Sequence, residues 1–185
     1  MDLRLLKLIN QYAGQYEWLD VFGKFFAETA IILMAVLVLS LWVMDFGVER
    51  KKNQYGVIMA IEAFILGRLM LTPLIHYFFP RLRPFAEGNA TLLILQSPLE
   101  PGFPSGHTVM AFAIALPILI YNKKAGLWLT FLAVLVSVSR VFVGVHYPSD
   151  ILGGFVLALI VVLFINYFRR IFVAPVVRLL RREKP

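Results

Sequence analysis

Five long apolar runs dominate the sequence and limit what the chain can fold into. They cover residues 25–44, 57–78, 105–121, 125–145 and 151–168. A helix needs roughly 20 mostly apolar residues to cross the hydrocarbon core of a bilayer, and these runs are of that order. The sequence therefore predicts an all-α integral membrane protein, in which five transmembrane helices form a bundle.

Composition supports this class. Hydrophobic residues make up 60% of the chain and charged residues 16%, whereas soluble domains average about 45–50% apolar and about 25% charged residues. An ordinary soluble domain and a disordered chain are both excluded. The chain has no cysteine, which excludes disulfide scaffolds and cysteine-based metal or redox sites. Its length of 185 residues predicts one membrane-embedded domain over residues 1–185.

The first 24 residues differ from the five runs. Apolar and charged side chains alternate over residues 2–10, which predicts a short helix at the membrane interface rather than a span. This segment is charged and lacks a continuous apolar stretch with a small-residue cleavage site, so we do not interpret it as a signal peptide.

The net charge of +7 has an uneven distribution. Eleven of the 18 Lys and Arg residues lie in the connections 45–54 and 122–124 and in the tail from residue 169. Basic residues gather in loops that face the cytoplasm, so these segments and the C-terminus are expected there. The N-terminus, the long loop 79–104 and the turn 146–150 are then outside. The charge indicates membrane lipids as partners rather than nucleic acid.

Several ionisable residues lie at or near the predicted outer ends of the runs. Ionisable groups at membrane depth are costly and are functional candidates by default. For Arg81, snorkelling to lipid headgroups is a sufficient explanation. It explains less well the convergence of the others on one face, namely His76, Arg83, His107, Arg140, His146 and Asp150.

The segment Pro104-Ser105-Gly106-His107 begins the third run. Ser105 is a favoured N-cap residue, and the amides of Gly106 and His107 then remain unpaired at a helix N-terminus, where they and the helix dipole favour an anion. Gly106 also allows close approach of a ligand to the backbone. A helix cap without further function is the alternative interpretation.

A second group surrounds the start of the fifth run. Pro148 suits the first turn of a helix, which places Asp150 in that turn, where the dipole favours a carboxylate. Asp150 can accept a hydrogen bond from one ring nitrogen of His146. The other ring nitrogen is then free to act as a nucleophile.

Arg83 and Arg140 offer planar, multidentate donors that match phosphate oxygens. Together with helix-end amides they predict a phosphate-binding site. They argue against a metal site of two histidines and one carboxylate, because guanidinium groups repel a divalent cation. We therefore expect no metal and no cofactor.

These residues resemble the motifs of the type 2 phosphatidic acid phosphatase superfamily of integral membrane lipid phosphatases. The family motifs are Lys-x6-Arg-Pro, Pro-Ser-Gly-His and Ser-Arg-x5-His-x3-Asp. The second and third are complete here, as Pro104 to His107 and as Ser139-Arg140, His146 and Asp150. The first is partial, because Arg83-Pro84 is present but the lysine position holds His76.

The resemblance implies a role for each matching residue. His146 attacks phosphorus to form a phosphohistidine, Asp150 orients His146, and His107 protonates the leaving oxygen. Water then hydrolyses the intermediate without a metal. The phosphoryl oxygens are held by Arg83, Arg140, Ser105 and the Gly106 amide. A neutral His76 can donate one hydrogen bond to phosphate, but it lacks the charge of lysine.

Within the family, the sequence looks most like bacterial undecaprenyl pyrophosphate phosphatases, which recycle the lipid carrier of cell-wall synthesis. This implies a polyprenyl diphosphate substrate and a bacterial plasma membrane. A glycerolipid substrate, as in phosphatidylglycerophosphate or phosphatidate phosphatases, is the main alternative, because the motifs do not discriminate between them. The oligomeric state is left open.

Two rivals are not phosphatases. A small non-enzymatic transporter predicts ionisable residues along a pathway and commonly inverted repeats, which we do not find in the sequence. The second rival is a catalytically silent membrane scaffold that has kept the phosphate-binding site.

Two further hypotheses concern the spans and the long loop. Glu28 and Arg68 both fall in the outer half of their spans, so we hypothesise that they form an ion pair; the alternative is that each meets a backbone group or lines a wet cavity. The apolar run 91–95 of the loop either lies on the bilayer or packs on the tops of the helices.

Overall fold

The computed structural model describes residues 1–44 and 47–173. All regular secondary structure in these ranges is helical, without a strand, so the predicted all-α class is confirmed. The last basic residues of the tail, on which part of the topology prediction depends, lie outside the described residues. They are Arg178, Arg181, Arg182 and Lys184.

The helices follow the apolar runs, and two of the long helices include a π-helical segment. The short helix α1 is Asp2–Asn10. The first long helix consists of α2 (Glu17–Lys24), a π-helical segment (Phe25–Thr29) and α3 (Ala30–Met44). The second consists of α4 (Gly47–Phe64), a π-helical segment (Ile65–Leu71) and α5 (Thr72–Phe78). The remaining helices are α6 (Gly106–Tyr121), α7 (Lys123–Phe142) and α8 (Pro148–Phe168), the last continued by a π-helical segment (Arg169–Val173).

Four helical stretches are long and apolar enough to cross a membrane: Glu17–Val43, Arg50–Phe78, Lys123–Phe142 and Pro148–Ile171. The fifth apolar helix, α6, has only 16 residues. The first stretch begins eight residues before the predicted run, so the expectation that the first 24 residues stand apart from the spans was wrong for residues 17–24. Helix α1 is separate from the span. The chain turns at Gly14, which has a φ of +80°, and α2 then runs directly into the span.

Helix α6 lies at the centre of the bundle and packs against α3, α4, α7 and α8. It is apolar around its whole circumference, as expected for a helix surrounded by others. Ala111, Ala113 and Ala115 are fully buried, and such small side chains let helices approach closely in a membrane protein. The outer helices instead expose large apolar side chains, among them Ile32, Val36, Leu152, Ile160 and Phe164.

Helix α1 packs across the ends of α7 and α8. Its Leu6 is fully buried against Val141 and Tyr147. The Asn10 side chain donates to the carbonyls of Thr91 (2.9 Å) and Phe142 (2.7 Å) and accepts from the Thr91 amide (2.7 Å). An amide side chain both donates and accepts, so Asn10 ties the long loop to the end of α7.

The apolar part of the long loop is divided between two environments. Ile94 is buried with Phe142, Val143 and Val145, so this residue packs on the helix tops. The Leu95 side chain is 99% exposed. Contact of Leu95 with the bilayer stays a prediction.

Candidate active site

The structure brings the sequence-predicted residues together at one end of the bundle. Arg83 follows α5, Ser105 to His107 begin α6, and Arg140 lies in the last turn of α7. His146 precedes α8, and Asp150 lies in its first turn. The long loop and α1 cover this end. Motifs separated by more than sixty residues thus form one cluster.

His146 is almost fully buried, and its two ring nitrogens have different neighbours. Nδ1 lies 3.6 Å from Oδ2 of Asp150, and Nε2 lies 3.5 Å from Nη1 of Arg83. The predicted hydrogen bond to Asp150 is not formed, because this distance is too long and the buried Nδ1 has no hydrogen-bond partner among the described residues. Burial, with the positive charges of Arg140 and Arg83, holds the pKa of His146 well below its ordinary value. The imidazole is therefore neutral near pH 7, with Nδ1 towards the carboxylate and Nε2 towards the arginines. A neutral imidazole oriented in this way can act as a nucleophile.

Asp150 is fully buried and uses both carboxylate oxygens. Oδ2 accepts from the Tyr147 amide at 2.8 Å, and Oδ1 accepts from Nη1 of Arg81 at 2.8 Å. The backbone carbonyl of Asp150 accepts from the Ser105 amide at 3.0 Å. The start of α8 is thereby fixed to the start of α6, and the carboxylate is fixed beside His146.

Arg81 has a structural role that the sequence analysis missed. Its Nη2 donates to Oδ2 of Asp2 (2.8 Å), its Nη1 donates to Oγ of Ser149 (2.6 Å), and its guanidinium lies 4.3 Å from the centre of the Tyr147 ring. Snorkelling was therefore the wrong interpretation: Arg81 links Asp2 to Asp150. Burial would raise the pKa of Asp2, but hydrogen bonds from Ser149 and Arg81 outweigh burial and lower it. Asp2 thus stays ionised and keeps Arg81 in place.

Arg83 and Arg140 are buried, with 6% and 2% of their surfaces exposed. Nε of Arg83 donates to the Glu100 carbonyl (3.0 Å), and Nη2 lies 3.5 Å from Oε2 of the Glu100 side chain. Arg140 donates to the Ala27 carbonyl (3.1 Å) and to Oε1 of Gln96 (3.4 Å). Its buried Nε has no hydrogen-bond partner among the described residues. Two buried guanidinium groups with a free donor favour an anion between them.

The start of α6 has the predicted cap. Ser105 is the N-cap residue, and its hydroxyl accepts from the Thr108 amide at 3.5 Å. The amides of Gly106 and His107 precede the first hydrogen bond of the helix, so they have no acceptor within it. A Cβ on Gly106 would lie 2.9 Å from Nε of Arg68. Arg68 is therefore a second residue near the site that the motifs did not indicate.

His76 contacts the second motif directly. Its Nε2 lies 3.0 Å from the carbonyl oxygen of Pro104, so this nitrogen donates to the backbone just before the N-cap. His76 thus supports the turn that leads into α6. Binding of phosphate by His76 stays a prediction.

The proposed ion pair between Glu28 and Arg68 was wrong. Glu28 and Arg68 share no ion pair in the part of the chain that the structure describes. Arg68 is instead directed to the start of α6, and Glu28 exerts its charge on Arg140. Glu62, six residues before Arg68, pairs with Arg169 at 2.8 Å near the opposite end of the bundle.

A buried, neutral histidine beside a carboxylate and two arginines is the arrangement expected of a membrane phosphatase. The model of the PAP2 superfamily matches residues 51–173, which include all the motif residues. The chain belongs to this superfamily.

Individual relatives extend this result over most of the chain. Undecaprenyl-diphosphatase BcrC of Bacillus subtilis (strain 168) is 34% identical over 161 residues, which are 87% of this chain and 80% of that protein. The bacitracin transport permease protein BcrC of Bacillus licheniformis is 31% identical over 89% of this chain and 79% of its own. Among solved structures, LpxE of Aquifex aeolicus superposes with a TM-score of 0.69 at 29% identity, covering 88% of this chain and 93% of that one.

Proposed function

We propose that this protein converts undecaprenyl diphosphate to undecaprenyl phosphate and phosphate at the outer face of a bacterial plasma membrane. Family membership and the likeness to a named undecaprenyl-diphosphatase make the chain a membrane lipid phosphatase. The observation that carries the proposal is the placement of His146, with Nδ1 beside Asp150 and Nε2 beside Arg83.

The reaction proceeds in two displacements. In the first, Nε2 of His146 attacks the terminal phosphorus, the bond from that phosphorus to the bridging oxygen breaks, and His107 gives a proton to the departing lipid phosphate. In the second, water gives a proton to His107 as its oxygen attacks the phosphohistidine, the N–P bond breaks and phosphate leaves, so both histidines return to their starting states. Arg83, Arg140 and the first amides of α6 stabilise the phosphoryl oxygens, so catalysis depends on positioning and charge. No step needs a metal.

The proposed topology has five spans, with α6 as the shortest, and α1 at the outer interface. It is supported by the uneven distribution of Lys and Arg. Residues 1–185 then form one domain, with the active site outside and the C-terminus in the cytoplasm.

Transport, the activity named for one relative, fits the bundle less well. A substrate pathway requires polar groups along the bundle. The middle of this bundle is instead filled by an apolar cluster that includes Met34, Ala111, Ile118 and Ala133. The buried ionisable groups of the described residues lie at the end that holds His146.

Purified protein tests the proposal directly. Release of phosphate from undecaprenyl diphosphate is measured with and without a chelator, beside phosphatidylglycerophosphate and phosphatidate. We expect the diphosphate to be preferred, no effect of the chelator, and loss of activity in His146→Ala. Arg169→Gln, which alters the opposite end of the bundle, is the matched control. Full activity of His146→Ala would exclude the proposed mechanism. Preference for a glycerolipid phosphate would show that undecaprenyl diphosphate is not the main substrate.

The covalent intermediate is tested separately. Brief incubation with substrate labelled at the terminal phosphate should give an acid-labile, base-stable label on the wild-type protein. The same label should be absent from His146→Ala. An equal label on both proteins would show that the phosphoryl group is not bound to His146.

A further inference from the structure

Arg68 is an intramembrane arginine that lacks an acidic partner in the described part of the chain. It lies in the π-helical segment between α4 and α5, within the membrane-spanning stretch Arg50–Phe78. No carboxylate of the described residues lies within 4 Å of its guanidinium. An arginine at this depth is costly unless it faces a polar interior or a ligand.

The guanidinium of Arg68 lies against the first residue of α6. A Cβ on Gly106 would be 2.9 Å from Nε and 3.2 Å from Cζ of Arg68. A glycine at this position therefore makes room for the arginine. The side chain leaves the helix from a π-helical turn, and such turns inside α-helices are frequent at functional sites.

Arg68 approaches the site from a different segment of the chain than the other two arginines. Its charge acts on His107 together with those of Arg140 and Arg83, but only Arg140 and Arg83 are among the arginine charges that act on His146. Arg68 thus lies against Gly106, the residue next to the proposed general acid His107. The side of the general acid is the one on which the leaving group must lie in an in-line displacement.

His76 does not supply a fixed charge at this position. Its Nε2 is engaged by the carbonyl of Pro104. Arg68, beside Gly106 and without an acidic partner among the described residues, can therefore neutralise negative charge on a leaving group beside His107.

We propose that Arg68 binds the second phosphate of a lipid diphosphate, the one that stays on the lipid. When His146 forms its bond to the terminal phosphorus, the bridging oxygen keeps the electron pair of the broken P–O bond. Arg68 stabilises the charge that develops there, and His107 supplies the proton. This inference rests on the proposed function and makes the site selective for diphosphates over monophosphates.

The test compares Arg68→Gln and Arg68→Lys with the wild type on a polyprenyl diphosphate and on the corresponding monophosphate. Loss of a charge-assisted hydrogen bond predicts that Arg68→Gln lowers kcat/KM for the diphosphate about 10- to 100-fold more than for the monophosphate. Arg68→Lys should recover part of the selectivity. Arg169→Gln should change neither substrate. Equal losses on both substrates, or none, would overturn the proposal.

Binding provides a measurement that does not depend on turnover. In a His146→Ala background, Arg68→Gln should weaken binding of farnesyl diphosphate and leave binding of farnesyl monophosphate unchanged. Elution in detergent as a single folded species checks each variant. If the wild type hydrolyses no lipid phosphate, the proposed function fails, while this binding comparison still decides the role of Arg68. Equal weakening for both ligands would reject that role.

Discussion

At the scale of single residues, charge and burial act on the same few groups. Arg83 and Arg140 favour an anion, and they also keep His146 neutral, because protonation of a buried imidazole beside them is costly. The groups proposed to bind the phosphate therefore also keep the proposed nucleophile in its neutral form. This coupling has a consequence that a pH profile can measure.

The pKa of His146 is lowered by burial and then by Arg140 and Arg83. The acid limb of kcat/KM should therefore lie well below pH 6.5 in the wild type. This limb reports ionisation of the free enzyme. Arg83→Gln removes one of these charges. The pKa of His146 should rise, and the acid limb should move to higher pH, even though the maximal rate also falls. Arg4→Gln, an exposed change on α1, is the control. If the acid limb of Arg83→Gln stays at the wild-type pH, this limb does not report protonation of His146.

Arg81 acts through Asp150 rather than on substrate. Arg81→Gln removes a charged donor from Oδ1 of Asp150, so kcat should fall about 10- to 100-fold while KM changes little. Arg81→Lys should restore part of the rate, and Asp2→Asn should have a smaller effect in the same direction. Steady-state kinetics give kcat and KM for each variant, and Arg4→Gln is the control. A rise in KM without a fall in kcat would make Arg81 a substrate ligand instead.

At the scale of helices, the site depends on how closely α8 approaches the start of α6. A Cβ on Gly154 would lie 2.8 Å from the carbonyl oxygen of Ser105 and 2.9 Å from Cβ of Thr108. Backbone atoms on one side of this contact cannot rotate away. The position of Asp150, one turn before Gly154, is therefore set by a contact between helices.

Gly154→Ala should separate the two helix starts. We expect a loss of about 1–3 kcal/mol of stability, as for other overpacked interiors, together with a lower kcat. Thermal inactivation in detergent and steady-state kinetics measure the two effects. The matched control is Gly56→Ala, because there the added Cβ would meet the movable Cδ1 of Ile118 at 3.1 Å. Equal stability of Gly154→Ala and Gly56→Ala would mean that the contact is not tight.

Local patterns in the sequence predicted those parts of the site that are formed by residues close together in the chain. The Ser105 cap and the position of Asp150 in the first turn of α8 follow from a few neighbouring residues. The contact of Asp2 with Ser149 joins positions 147 apart, and no periodicity or spacing indicates it. The direction of Arg68 depends on a π-helical turn, whereas the hypothesis of a Glu28 pair assumed only depth in the bilayer.

At the scale of the whole molecule, the proposed orientation in the membrane can be measured with single introduced cysteines. The chain has no cysteine, so single cysteines can be introduced without background. Ser97 in the long loop and Lys124 after α6 are both exposed. With a membrane-impermeant thiol reagent on intact cells, Ser97→Cys should be labelled, and Lys124→Cys should be labelled only after permeabilisation. The cysteine-free protein is the control, and the reverse pattern would invert the proposed topology.

The short central helix has a further consequence. Helix α6 has 16 residues and α7 has 20, which correspond to about 24 Å and about 30 Å. Only Asn122 separates them, so at equal tilt the start of α6 would lie about 6 Å deeper than the end of α7. A lipid headgroup would then have to sink to reach His146, or the bilayer would have to become thinner around the protein. The reaction rate would then depend on the acyl-chain length of the surrounding membrane, which makes hydrophobic mismatch a determinant of catalysis.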